Sequence, residues 1–240
     1  MAICNLDLPT QVTGVSLGSP EQLAGELALH VAGALRSAID SHGVASLVVS
    51  GGRSPIAFLE RLSAQELELD WSRVAISLAD ERWVPVGHAD SNEGLVRRHL
   101  LQGPAAKARF IGLYHSAASL DEAARLADAA LAELPQPIDV LVLGMGEDGH
   151  TASLFPKSPG LDEALSHSCT RRCVPMQAPS VPRQRLSMPL PLLAGARLTL
   201  LAVQGQGKLD TLATALAGED VAAMPIRAFL HQPLEIYWCP

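Results

Sequence analysis

Apolar residues along this chain alternate between two spacings. Short, nearly continuous apolar runs, typical of strands buried on both faces, occur at Ala45–Val49, Val74–Leu78 and residues 138–143, 197–203 and 234–238. Longer stretches rich in Ala and Leu have the spacing of helices and span residues 21–38, 55–67, 91–101, 120–134 and 208–216. The alternation predicts an α/β fold in which a mostly parallel, Rossmann-like sheet has helices on both faces.

One domain spanning residues 1–240 is expected, because no repeat, linker or low-complexity tract divides the sequence. Residues 158–183 fit neither spacing, since they combine four prolines with mixed polarity, and their conformation stays open. Folds of this class carry their chemistry in loops at the carboxyl ends of the strands. Candidate site residues are therefore sought in those loops.

The charge balance argues against a nucleic-acid partner. The chain has 18 Lys and Arg against 25 Asp and Glu, a net charge of −7, and only 4% aromatic residues. A nucleic-acid surface needs clustered basic residues, and no such block occurs. No apolar run is long enough to span a bilayer, and the N-terminus lacks the pattern of a secretory signal. We therefore expect a cytoplasmic protein with no membrane partner.

The four cysteines, Cys4, Cys169, Cys173 and Cys239, are too dispersed for a disulfide framework. His167, Cys169 and Cys173 could together offer three metal ligands. A structural zinc site, however, usually has four ligands in closer pairs. The pattern favours ordinary thiols and no metal.

The first candidate loop, residues 50–55, has the sequence Ser-Gly-Gly-Arg-Ser-Pro and follows a predicted strand. Ser54 is placed as the N-cap of the next helix, with Pro55 at its first position. Gly51 and Gly52 would let the backbone approach a ligand closely, and exposed N–H groups at a helix start favour an anion. A tight turn with a good cap explains most of these residues equally well.

Two further loops offer cations. The first follows another predicted strand and contains Asp80, Glu81 and Arg82. The planar guanidinium of Arg82 suits a phosphate, and Asp80 can accept hydrogen bonds from sugar hydroxyls. Lys208 ends the sequence Gln-Gly-Gln-Gly-Lys at the start of a predicted helix, where it could contact a phosphate. Leu209 stands where a Walker motif has Ser or Thr. A solvated turn and a surface lysine are the alternatives at these two places.

The loop at residues 144–156 has the sequence Gly-Met-Gly-Glu-Asp-Gly-His-Thr-Ala-Ser-Leu-Phe-Pro. It matches a dinucleotide-binding Gly-x-Gly-x-x-Gly pattern formally, but Glu147 and Asp148 would repel a pyrophosphate, and Pro156 leaves little room for a crossover helix. His150 is instead a candidate general base, with Asp148 two residues earlier to orient it and stabilise its protonated form. A purely structural Asp-Gly-His turn is the alternative.

Together, the segments SGGRSP, LADERWVP followed by Ser91 and Asn92, LGMGEDGHTASLFP and GQGK resemble the 6-phosphogluconolactonase family along nearly the whole chain. The related glucosamine-6-phosphate deaminases have a similar glycine-aspartate-glycine-histidine loop. They continue it with Phe-Asn-Glu-Pro, whereas residues 153–156 here are Ser-Leu-Phe-Pro. The resemblance implies the fold type shared by glucosamine-6-phosphate deaminase and ribose-5-phosphate isomerase. Arg53 departs from the family pattern, in which a small or uncharged residue is common.

The resemblance further implies hydrolysis of 6-phospho-D-glucono-1,5-lactone to 6-phospho-D-gluconate, the second step of the oxidative pentose phosphate pathway. His150 is then the general base that activates water, and Asp148 orients it. The implied substrate-binding residues are Gly51, Gly52, Ser54, Asp80, Arg82, Gly146, Arg185 and Lys208. Neither a cofactor nor a metal is implied, and we expect a monomer, with a dimer as the alternative. The rival functions are a sugar-phosphate deaminase or isomerase, a non-catalytic sugar-phosphate sensor and a dinucleotide-dependent oxidoreductase.

Overall fold

The predicted strands pair side by side in one sheet. In the computed structural model, which describes residues 3–64 and 68–240, all neighbouring strands of this sheet are parallel. They lie in the order β1 (Val12–Ser16), β10 (Leu234–Cys239), β9 (Leu198–Gln204), β6 (Val140–Leu143), β2 (Ala45–Val49), β3 (Val74–Leu78) and β5 (Arg109–Phe110). Every residue of β2, β3 and β6 is buried, so both faces of the sheet centre are covered. The predicted α/β class with a parallel sheet is confirmed.

Helices connect and cover these strands. The α-helices are α1 (Pro20–His42), α2 (Ile56–Leu62), α3 (Asn92–His99), α4 (Leu120–Ala130), α5 (Leu161–Leu165), α6 (Leu190–Ala194), α7 (Gln206–Leu216) and α8 (Arg227–Leu230). Short 3-10 helices span Ile3–Asn5, Trp71–Arg73, Gly103–Lys107 and Leu131–Glu133. The longest helix, α1, contacts β2, β6 and β10 and also packs against α2.

The α1 helix extends beyond the predicted residues 21–38. Ser19 caps its start by accepting a hydrogen bond from the Gln22 N–H, and Pro20 occupies the first turn. Ile39 packs against the core and continues the inward face past residue 38. Gly43 then ends the helix with φ of 85°, a left-handed conformation that glycine adopts without strain.

The helix predicted at residues 55–67 ends earlier, since α2 stops at Leu62; the last predicted positions, 65–67, lie outside the described residues. The prediction that Ser54 caps this helix is wrong. Pro55 occupies the position before Ile56, and no side chain caps the helix start. The Ile56 N–H donates instead to the Arg53 carbonyl oxygen, so a tight turn replaces the expected cap and contains Ser54.

The other predicted elements are present: β2 and β3 have the predicted bounds, and the rest have shifted ends. Among them, α7 begins at Gln206, which places Lys208 within its first turn. The sequence pattern does not predict β1, because only Val12 is buried in this edge strand and the apolar run is missing.

A second sheet, which is antiparallel, accounts for part of the unassigned stretch 158–183. Its strands lie in the order β4 (Asp80–Arg82), β8 (Gln184–Ser187) and β7 (Val174–Gln177). A small separate core lies beside it, formed by Leu154, Leu161, Ala164, Val174 and Met176. The strand register pairs Arg82 with Arg185, which brings two cations onto neighbouring strands.

The direction of strand addition reverses at β2. From β2 the chain continues to β3, whereas β6 pairs with the opposite edge of β2. The loops that leave β2 and β6 therefore diverge and open a crevice at the carboxyl ends of the strands. Within residues 3–64 and 68–240, no helix has the length and apolar character needed to cross a membrane.

Candidate active site

A cavity of about 300 Å³ lies in this crevice, where the loops that follow β2, β6 and β9 meet. All residues that the sequence indicates for substrate binding line it: Gly51, Gly52, Ser54, Asp80, Arg82, Gly146, Arg185 and Lys208. His150 lines it as well, and Asp148 contacts the His150 ring. The structure thus brings the candidate residues of four separate loops to one cavity.

Asp148 holds the His150 ring. Partial burial raises the pKa of Asp148, but the hydrogen bond and the charge of His150 outweigh this effect and keep that pKa below its ordinary value. The ionised carboxylate only accepts hydrogen bonds, so its Oδ1, 2.5 Å from Nδ1, fixes the proton on Nδ1. In the neutral form of the imidazole, this tautomer leaves the lone pair on Nε2. The pair therefore has the arrangement of a general base with its orienting carboxylate.

Two glycines provide the space for this pair. A Cβ at Gly146 would overlap the His150 ring and the Asp148 carboxylate. Gly149 adopts φ of 76°, and a Cβ there would collide with Met224. The Gly146 N–H also donates to the His150 carbonyl oxygen at 2.8 Å, so the loop closes on itself around the catalytic candidates.

Asp80 is buried at the cavity wall and is hydrogen-bonded on two sides. Ser153 Oγ donates to its Oδ2 at 2.6 Å, and Asn92 Nδ2 donates to its carbonyl oxygen at 2.8 Å. Arg82 Nη1 donates in turn to Asn92 Oδ1 at 2.7 Å. The buried Nε of Arg82 has no hydrogen-bond partner among the described residues. These contacts order a carboxylate and a guanidinium that both face the cavity.

Glu81 lies between these two residues in sequence but supports α3 instead of lining the cavity. Its carboxylate accepts hydrogen bonds from the N–H groups of Arg82, Asn92 and Glu93 and from the Ser91 hydroxyl. Burial raises the pKa of Glu81 to about 7, against the lowering effect of the three backbone donors. Glu81 therefore fixes the start of α3, from which Asn92 reaches the site.

Arg185 adds a second guanidinium beside Arg82. It is 7% exposed, and its Nε donates to the Pro182 carbonyl oxygen at 2.8 Å. Burial lowers the pKa of Arg185, and the nearby charge of Asp80 opposes this effect. An arginine still remains charged at neutral pH. The two arginines thus give the cavity a local positive charge, although the net charge of the chain is −7.

The loop after β2 presents backbone donors. The N–H groups of residues 51–54 donate to no acceptor in the part of the chain that the structure describes. Gly51 lies so close to Asn92 that a Cβ would overlap its side-chain amide, and Gly52 has φ of 96°. Successive free N–H groups of this kind form a site suited to an anion.

The loop after β9 joins the other two loops. Lys208 lines the cavity from the first turn of α7, and the Thr211 hydroxyl of the same helix shares its proton between the carbonyl oxygens of Gly207 at 3.0 Å and Glu147 at 3.3 Å. Gln204 Nε2 donates to the Ser54 carbonyl oxygen at 3.4 Å. All three loops are therefore tied together by hydrogen bonds.

Sequence reasoning misses several polar residues of the site, among them Ser50, Asn92 and Ser153. Ser50 and Asn92 line the cavity, and Ser153 contacts Asp80. The buried Ser50 hydroxyl has no hydrogen-bond partner within the described ranges. Ser50 stands directly before the glycine pair, and Asn92 directly follows the N-cap of α3. These positions are signals by which the sequence could identify both residues. Ser153 offers no such signal, because its partner lies 73 residues away.

The cysteines stay apart from this site. Cys4, Cys169, Cys173 and Cys239 are free thiols. Burial raises the pKa of Cys173 to about 12, so this thiol stays protonated at neutral pH. Outside positions 1–2 and 65–67, no group of three or more His, Cys, Asp or Glu side chains is placed to hold a metal ion.

The chain is similar to known proteins along almost its whole length. The family model described as glucosamine-6-phosphate isomerases/6-phosphogluconolactonase matches residues 18–238. A Pseudomonas aeruginosa protein named 6-phosphogluconolactonase is 66% identical over 240 residues, which cover 100% of both chains. A crystal structure of a 6-phosphogluconolactonase from Shewanella baltica superposes with a TM-score of 0.92 at 39% identity, covering 97% of this chain and 100% of that one. A monomeric glucosamine-6-phosphate deaminase shares the fold, with a TM-score of 0.76, 18% identity and coverage of 95% and 97%.

Proposed function

The chain belongs to the glucosamine-6-phosphate isomerase/6-phosphogluconolactonase family, and we propose that it hydrolyses 6-phospho-D-glucono-1,5-lactone to 6-phospho-D-gluconate. The observation that carries the proposal is the His150–Asp148 pair at a cavity with two arginines, a lysine and free backbone N–H groups. The 66% identical relative, named 6-phosphogluconolactonase, supports this lactone as the substrate. In this role the chain acts as one domain on a sugar phosphate, without a cofactor, in the oxidative pentose phosphate pathway.

His150 is the general base of the proposed reaction. Its Nε2 takes a proton from water while the water oxygen attacks C1 of the lactone, and the carbonyl oxygen becomes an oxyanion. The bond between C1 and the ring oxygen then breaks, and the imidazolium returns its proton to that oxygen. Asp148 stabilises the imidazolium in between. A positioned general base typically accelerates such a step by about 10²–10⁴-fold.

The phosphate of the substrate is held by the anion-binding part of the cavity. We assign this role to the N–H groups of residues 51–54, to Arg82 and to Lys208. Each hydrogen bond to a charged group contributes about 1.5–3 kcal/mol. These contacts position C1 near His150 and so lower the entropy cost of the attack.

The remaining candidates serve the sugar ring. Asp80, fixed by Ser153, accepts hydrogen bonds from sugar hydroxyls, and Arg185 contributes a donor on the same wall. Gly146 keeps side-chain volume away from the base. A lactone is an activated ester, so the reaction needs no covalent nucleophile.

Isomerisation or deamination of glucosamine 6-phosphate is the rival, because the description of the matching family model names glucosamine-6-phosphate isomerases beside 6-phosphogluconolactonase. The deaminase pattern has a glutamate where this chain has Phe155. This difference favours the lactonase, and ammonia release from glucosamine 6-phosphate separates the two activities.

The proposal is tested by mixing the purified chain with freshly generated lactone and following acid release above the spontaneous rate, with EDTA present. His150→Ala runs beside the wild type, and His88→Ala is the matched control, because His88 is exposed and does not line the cavity. We expect rapid hydrolysis by the wild type and the control, and a loss in His150→Ala. Hydrolysis at the background rate by the wild type would reject the lactonase, and full activity of His150→Ala would reject the base.

A further inference from the structure

The segment that follows His150 brings one aromatic ring against two groups of the site. The Phe155 and His150 ring centroids lie 4.3 Å apart with an interplanar angle of 37°. The Arg185 guanidinium carbon lies 5.7 Å from the centroid of the same Phe155 ring. Phe155 is only 6% exposed, so the ring is held by its surroundings.

The contact with Phe155 restrains the imidazole in a way that Asp148 cannot. The Asp148 hydrogen bond fixes one edge of the ring at Nδ1 and leaves rotation about that bond open. A ring packed against the imidazole limits this rotation and so directs Nε2. Direct packing of two rings at this distance favours one orientation of the imidazole over others.

The charges at the site point to the same role. In the proposed reaction the imidazole becomes a cation, and Arg185 is a cation that contacts the same aromatic ring. The face of an aromatic ring attracts cations. Phe155 therefore suits contact with both a guanidinium and an imidazole that gains positive charge during turnover.

We propose that Phe155 is a positioning residue that acts through His150: it holds the imidazole so that Nε2 faces the attacking water. The inference rests on the proposed function, in which His150 is the base. Phe155 itself touches no reacting atom. Arg185 is also held by its hydrogen bond to the Pro182 carbonyl oxygen, so we expect substrate binding to depend on the ring less than turnover does.

The test replaces the ring by an aliphatic side chain in Phe155→Leu. Phe110→Leu is the matched control, because Phe110 also has an arginine over its ring, with the Arg97 guanidinium carbon 5.1 Å from the centroid, and lies outside the cavity lining. Phe155→Tyr restores the ring. We expect kcat to fall about ten-fold in Phe155→Leu, with KM changed much less. Phe155→Tyr recovers most of the loss, and Phe110→Leu keeps wild-type kcat.

A proton NMR measurement gives a second, activity-independent readout. The ring current of Phe155 shifts the His150 ring-proton resonances, and this shift disappears in Phe155→Leu but not in Phe110→Leu. Wild-type kcat in Phe155→Leu, an equal loss in Phe110→Leu or unshifted His150 resonances would each overturn the inference. If Phe155→Leu fails to fold, the nuclear Overhauser effect between the two rings in the wild type decides: its presence supports the contact and its absence overturns it. A wild type without lactonase activity would reject the proposed function, while the resonances would still show whether Phe155 holds His150.

Discussion

Ser153 Oγ donates a hydrogen bond of 2.6 Å to Oδ2 of Asp80 and joins the loop after β6 to strand β4. Both side chains are buried, and a buried polar group that loses its hydrogen-bond partner costs more free energy than an exposed one. The loop that carries the candidate base is thereby fixed to the carboxylate assigned to the sugar. A shift of the loop after β6 relative to β4 therefore changes the distance between the base and the substrate.

Ser153→Ala removes this bond and leaves the Asp80 carboxylate without its hydroxyl donor. Hydrogen bonds to charged groups contribute about 1.5–3 kcal/mol, so we expect kcat/KM for the lactone to fall roughly 10- to 100-fold. Ser77→Ala is the matched control, since Ser77 is fully buried and donates to the Ile111 carbonyl oxygen outside the cavity. Equal losses of activity in the two variants would mean that a general loss of stability, and not the Asp80 contact, explains the effect.

Asp148→Asn tests how the base is oriented. The amide can present an N–H to Nδ1, which would favour the proton on Nε2 and leave no lone pair there for water. We expect kcat to drop by about 10²–10⁴-fold at neutral pH, with the protein still folded. Asp90→Asn is a close control, because Asp90 also lies two residues from a histidine, His88, but on the exposed surface. Steady-state kinetics that show the same drop for both variants would contradict the orienting role of Asp148.

Gly146→Ala tests whether the base needs the space beside it. The new Cβ would overlap the His150 ring, so the ring must move, and a misplacement of about 1 Å can cost roughly 100-fold in rate. Gly144→Ala belongs to the same loop, but its Cβ would meet nothing within 4 Å. We expect kcat to fall about 100-fold in the first variant and to stay near wild type in the second. The prediction fails if the two variants have the same kcat.

The sequence predicts which candidate residues line one cavity where their positions follow directly from strand ends. The carboxyl ends of parallel strands share one edge of the sheet, so a pattern that locates β2, β6 and β9 also brings their loops together. This reasoning leads to the glycine loop at residues 50–55 and to His150 and Lys208. The roles assigned to these residues remain predictions.

The features that sequence reasoning misses depend on distant partners. Ser153 becomes informative only once β8 pairs with β4 and Asp80 is buried against it. The capping role of Ser54 fails for a local reason, because a turn ending at Ile56 makes the helix begin one residue later than the pattern indicates. Burial patterns are also weak for edge strands such as β1, where only the first of five residues is buried.

Lys208→Ala tests the phosphate assignment. The charged hydrogen bond from Lys208 acts in both the ground state and the transition state. Its loss should therefore raise KM by roughly ten-fold or more and leave kcat nearly unchanged. Lys107→Ala removes the same charge from an exposed position outside the cavity lining and should change neither constant. Initial-rate measurements over a range of lactone concentrations separate the two effects. A fall in kcat with constant KM would place Lys208 at the reacting centre instead of at the phosphate.

Glu81→Gln tests the buried carboxylate beside the site through the pH dependence of stability. The folded protein has a pKa of about 7 at Glu81, above the ordinary value of 4.5, so its contribution to stability is present below pH 4.5 and is lost as pH rises through 7. An amide does not titrate. We therefore compare the free energy of unfolding of the wild type with that of Glu81→Gln. The wild-type value minus the variant value should decrease between pH 5 and 7.5, by at most about 1.4 kcal/mol per pH unit. Urea denaturation at several pH values measures this difference, and Glu133→Gln is the exposed control. A difference that stays constant or grows with pH would contradict the raised pKa of Glu81.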